Sequence, residues 1–152
     1  MKRDRGYLMD EFRLLESIIN AAYLMNQQKK KDPLCIDPED VFDPNLFARW
    51  HGKLHAWDFF PLSLSFKEFA NPYLVFKRFF RFQELAKWKQ DLQCLLDYSL
   101  RSLNILEEEE DINLFGLHSH LTKLVEAAHL IDVREVNHIG GRIKRRITKT
   151  RL

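Results

Sequence analysis

Apolar residues return at steps of three and four along most of this chain, a periodicity that packed α-helices satisfy and strands do not. Phe12, Leu15, Ile19 and Ala22 form one such row, widened by Leu14, Ile18 and Met25, which predicts a first helix from Asp10 to about Gln28. Lys29-Lys30-Lys31 suits its C-terminal dipole, and Asp32-Pro33 breaks it. Residues 32–43, with Pro33 and Pro38, read as a linker. Asp43-Pro44 then offers an N-cap followed by proline at the first helical position. The spacing of Phe47, Trp50, Leu54 and Trp57 predicts an aromatic stripe on a second helix, ended by Pro61.

Ser65-Phe66-Lys67-Glu68 has capping-box spacing, and Asn71-Pro72 supplies another start signal. A short helical turn is therefore expected, then a helix from Pro72 to about Phe80 carrying Val75, Phe76, Phe79 and Phe80. The next helix runs from about Glu84 to Leu103, with Leu85, Trp88, Leu92 and Leu95 on its buried edge. Glu107 to Asp111 are five consecutive acids, read as a solvated loop or as a favourable start for the following helix. A fifth main helix spans Asn113 to Leu130, with Leu117, Leu121, Leu124 and Ala128 in register.

After Leu130 the pattern changes. Val133 to Ile139 and Arg142 to Thr148 are rich in β-branched residues and are separated by Gly140-Gly141, a hairpin signal because glycine permits the positive φ of primed turns. The expected fold is mainly α: a single domain over 1–152, a bundle of about five helices with a basic C-terminal β-hairpin at 133–152.

With 45% hydrophobic and 30% charged residues the chain is too apolar to be disordered. It has no run of about 18 apolar residues, the length a membrane-spanning helix needs. Asp10, Glu11 and Arg13 interrupt any signal-peptide apolar block, so cytoplasmic residence is the expectation. Cys35 and Cys94, a distant pair, read as free thiols.

The net charge of +2 conceals an asymmetry. Arg142, Lys144, Arg145, Arg146, Lys149 and Arg151 lie within ten residues that contain no acid, and the remaining 18 basic and 22 acidic residues make a body of −4. Such a segment attracts nucleic acid in a salt-dependent, largely sequence-independent way; equally, it can be a basic terminus that aids solubility. Ile143 and Ile147 favour an ordered strand.

The stretch His118-Ser119-His120-Leu121-Thr122-Lys123-Leu124-Val125-Glu126-Ala127-Ala128-His129-Leu130-Ile131 resembles the recognition helix of winged helix-turn-helix regulators, with Asn137 to Gly141 as the wing and Arg142 to Thr148 as the return strand. The resemblance covers about 35 residues. It implies DNA binding, with His118, Ser119, Thr122 and Lys123 facing DNA and Arg142, Lys144 and Arg146 serving the wing. Residues 104–112, mostly acidic, stand where that family has the compact helix preceding its recognition helix.

Other constellations compete with this one. His51, His55 and Asp58 would share a face of a continuous helix and could hold a divalent metal, although six histidines in 152 residues also produce such spacing by chance. Arg49 and His55 have a spacing similar to the Arg-x5-His motif of HEPN ribonucleases, which implies action on an RNA backbone. Lys67, Lys77, Arg78, Arg81, Lys87 and Lys89 interleave with Phe66, Phe69, Phe76, Phe79, Phe80, Phe82 and Trp88. That pattern fits a single-strand platform, a partner surface, or simply a core with a wet face.

No phosphate loop, paired-cysteine motif or nucleophile context is present, so no catalytic, cofactor or metal residues are assigned. The expected function is a non-enzymatic nucleic-acid-binding regulator with DNA as its partner, using helix 113–130 and the basic hairpin, Arg145, Lys149 and Arg151 included. The alternatives are a helical interaction module that docks a protein or a second copy through residues 57–82, and a HEPN-like or metal-assisted nuclease.

Overall fold

A computed structural model describes residues 5–28, 34–48, 55–101, 112–135, 138–139 and 142–143. Their elements are α1 (Arg5–Gln27), three short 3-10 turns (Pro38–Phe42, Pro44–Leu46, Ala56–Phe59), α2 (Phe66–Ala70), α3 (Tyr73–Phe82), α4 (Leu85–Arg101), α5 (Leu114–Glu135) and a minimal strand pair, β1 (His138–Ile139) and β2 (Arg142–Ile143). They group into two compact units, each assembled from segments distant in sequence: Met1–Lys29 with Phe76–Leu121, and Lys30–Val75 with Thr122–Leu152.

In the first unit α1 packs on α4, burying Ile19 and Ala22, one helical step apart. The centre is a pair of aromatic rings. Trp88 of α4 stacks on Phe79 of α3, with centroids 3.9 Å apart and planes 8° from parallel, and its indole N–H donates to the Phe79 carbonyl at 3.3 Å. That bond satisfies the polar end of a fully buried ring. Phe82 lies against Trp88 and stacks on His120 of α5 at 4.2 Å. The buried Asp91 accepts from Gln83 at 2.9 Å and pairs with Lys87, one turn earlier, at 2.7 Å. Lys77, Arg78 and Arg81 are exposed while Phe76 and Phe79 are buried, so along α3 the interleaved pattern is a core with a wet face.

In the second unit Leu46, Phe47, Ala48, Phe69 and Leu130 form the core, with Ile36, Val41, Ala56, Phe59, Phe60 and Leu64 packed against it. Several of the short elements here start at a side-chain cap. Asp43 accepts from the backbone N–H of Asn45 at 3.0 Å, Asp58 accepts from that of His55 at 2.9 Å, and Ser65 and Glu68 close the expected capping box reciprocally.

Two expectations are corrected. The second helix, expected from Pro44 through Trp57, does not form as one element: Pro44–Leu46 is a 3-10 turn ended by Phe47 at φ −141°, ψ −17°, and Trp57 belongs to a separate turn that starts after His55. Phe47 and Trp57 still meet, at 5.7 Å, although they belong to separate elements and not to one helix face. Trp50 and Leu54 lie outside the described residues.

The β-hairpin expected over 133–152 is also corrected. α5 continues through Glu135, so Val133, Arg134 and Glu135 are helical where a strand was expected. Leu124, Ala127, Leu130, Ile131 and Val133 are all buried, and this helical burial outweighs the modest β-preference of Ile131 and Val133. Beyond α5 the described backbone has only a two-residue antiparallel ladder, His138 opposite Ile143 and Ile139 opposite Arg142. Residues 102–111, which include the acidic run, and 144–152 lie outside the described residues.

Replacing Trp88 with Ala removes a fully buried ring and leaves a cavity, for an expected loss of about 3–5 kcal/mol of stability. Urea unfolding followed by far-ultraviolet circular dichroism measures it; a loss below about 1 kcal/mol would mean that the ring stack does not organise this unit.

Candidate interaction surface

The second unit presents its aromatic residues in a graded way. Phe47 and Phe69 are buried, Phe59 and Phe60 are half-buried, and Phe42 and Trp57 are 60% and 58% exposed. The centroids of Phe42, Trp57 and Phe60 form a nearly equilateral triangle with sides of 5.9, 6.1 and 5.9 Å. Phe47 lies against both Trp57 and Phe60, at 5.7 and 5.0 Å, and Phe60 also contacts Phe69 at 6.2 Å. The exposed rings are therefore the outer layer of a continuous stack.

Side chains of α5 hold the loops that carry these rings. Arg134 donates from Nε to the Leu46 carbonyl at 2.8 Å and from Nη1 to the Phe69 carbonyl at 2.5 Å, and its guanidinium lies 4.5 Å from the Phe69 ring centroid. Its Nη2 is buried and has no hydrogen-bond partner among the described residues. Burial lowers the Arg134 pKa from its ordinary value to about 10, against a smaller raising effect of Glu135, so the group stays charged at neutral pH.

His129 stacks on Phe59 at 5.6 Å, and its Nε2 lies 2.7 Å from the Phe47 carbonyl; because that oxygen can only accept, Nε2 carries the proton. Glu126 accepts from the backbone N–H groups of Leu62 and Ser63, both at 3.0 Å. Tyr73 donates to Glu135 at 2.7 Å.

The residues expected to face nucleic acid are placed differently from one another. His118 and Ser119 are exposed on α5, and Thr122 is half-buried. Lys123 is turned inward, with its ammonium 3.1 Å from the carboxylate of the fully buried Glu68. Arg142 is placed by its backbone in β2, whereas Lys144, Arg145, Arg146, Lys149 and Arg151 lie outside the described residues.

His55 is an extended N-cap residue at φ −77°, ψ 150°, not part of a helix, so it does not share a helix face with Asp58. Arg49 and His51 lie outside the described residues, among which no group of three potential metal ligands comes together. No described helix is long and apolar enough to cross a membrane. In the first unit a groove of about 430 Å³ runs between α1 and α4, and Lys89 and Glu16 approach across it to 3.9 Å.

Sequence reasoning missed Phe42 and the roles of Glu126, His129 and Arg134. Phe42 stood in a presumed linker, and the α5 side chains act on backbone up to 88 residues away, for which local spacing has no signal. No known protein family, curated protein or solved structure matches this chain.

Arg134→Met keeps the volume but leaves two carbonyls without their charged donor, for an expected loss of about 2–5 kcal/mol. Below about pH 10 the guanidinium is protonated in both the folded and the unfolded chain, so this loss should be the same at pH 6 and pH 9. Above that pH the folded chain releases its proton first, and the penalty for burying the charge is relieved. Urea titrations of both proteins at the two pH values check the magnitude and its flatness.

Proposed function

We propose that this protein is an interaction module that docks a protein partner through the aromatic surface of Phe42, Trp57 and Phe60. The observation that carries this reading is the exposure of two large rings, centroids 5.9 Å apart, on a backing of buried rings and α5 hydrogen bonds. Adjacent exposed aromatic groups cost hydration free energy that docking recovers. Trp is among the residues most enriched at interface hot spots, and an already ordered surface loses less entropy on binding. This surface overlaps the expected docking segment 57–82 at Trp57 and Phe60, and extends it to Phe42; Phe69, Phe76 and Phe79 of that segment are buried.

A displayed random-peptide library selected against the folded protein tests the reading. Enriched peptides should carry an aromatic or aliphatic anchor, and Trp57→Ser should weaken them by about 2 kcal/mol, roughly thirtyfold. No enrichment, or ligands indifferent to both Phe42→Ser and Trp57→Ser, would remove the proposal.

A second reading, nucleic-acid binding, is favoured by the six cations of 142–151 on a body of −4. Its support is electrostatic, and DNA is the first ligand to try. Titration with duplex DNA at about 50 and 200 mM salt should give affinity that falls steeply with salt and disappears when residues 142–152 are deleted. Unchanged affinity in the truncated chain, or none at low salt, would sink it.

A further inference from the structure

We infer that the partner segment taken by the Phe42–Trp57–Phe60 surface is cationic, with lysine or arginine side chains flanking an apolar anchor; this rests on the docking reading above. The segments that carry the rings, residues 34–48 and 55–66, contain Asp37, Glu39, Asp40, Asp43 and Asp58 and neither lysine nor arginine. Arg49 and Lys53, between them, lie outside the described residues.

The acids are placed by the same turns that place the rings. In a 3-10 turn residues three apart eclipse, so within Pro38–Phe42 the exposed Glu39 stands on the same side as the exposed Phe42. Asp43 follows Phe42 directly and Asp58 follows Trp57. Their carboxylates accept backbone N–H groups at 3.0 and 2.9 Å, bonds that orient them.

Apolar rings carried on segments rich in carboxylates and free of lysine and arginine discriminate among occupants. A phosphate backbone or an anionic lipid surface would bring like charge against these acids. A cationic protein segment instead gains attraction at the rim and cation–π contact at the exposed indole. Its apolar anchor meets the ring triangle.

Two displayed libraries with the same randomised apolar core, one flanked by lysines and the other by glutamates, test this against the folded full chain. The lysine-flanked library should enrich preferentially, and its selected peptides should bind about tenfold more weakly when salt is raised from about 50 to 200 mM. The double variant Asp37→Lys/Glu39→Lys, exposed at both positions, should remove most of the library preference while Trp57→Ser abolishes binding of either kind. Equal enrichment of both libraries with sensitivity to Trp57→Ser overturns the cationic partner and leaves the docking surface standing. Binding by neither library, or binding indifferent to Trp57→Ser, overturns both.

Discussion

One guanidinium in the second unit ties a helix to two separate loops. Arg134, in the last turns of α5, caps the carbonyls of Leu46 and Phe69 and lies over the Phe69 ring. A carbonyl in a short turn or at a helix end has no partner from its own element, and a buried one without a donor costs free energy. The fork of a single arginine meets two such needs at once, which a lysine could not do with fixed geometry. Its burial lowers the pKa without removing the charge at neutral pH, so the bonds stay charge-assisted.

From that point the stack can be followed outward. Phe69 supports Phe60, Phe60 and Phe47 support Trp57, and Phe42 closes the outer triangle. His129 and Glu126 repeat the device of Arg134 on the Phe47 carbonyl and on the backbone around Ser63. Polar side chains of one long helix thus hold irregular chain, and that irregular chain carries the exposed rings. Loops secured in this way can present large apolar groups to solvent without collapsing over them.

Local signals were legible where the physics is local. The Ser65–Glu68 capping box and the Asp43-Pro44 start both act within a few residues, and both are found as read. The rows in α1, α3, α4 and α5 follow from the helical repeat and survive with end shifts of a few residues. What followed Asp43-Pro44 was not legible, because a capped start does not specify how long the element continues, and Phe47 leaves helical geometry at once. The start of the first C-terminal strand was misread for a related reason: the β-branching of Val133 is a weak preference, overridden once that side chain found a core to enter. The resemblance to a recognition helix implied that Lys123 faces outward, and only its meeting with Glu68, 55 residues earlier, turned it inward.

The sequence by itself determined a mainly helical chain, the sites of its caps, its aromatic richness and the opposition between a basic segment and an acidic body, since these depend on composition, on the helical repeat and on contacts within one turn. Tertiary structure alone decided that α5 runs to Glu135, that two units are assembled from interleaved segments, and that Phe42 and Trp57 become neighbours at the surface. Those outcomes turn on which buried carbonyl finds a donor and which ring finds a neighbour across tens of residues. No local preference of about 1 kcal/mol or less can settle that choice.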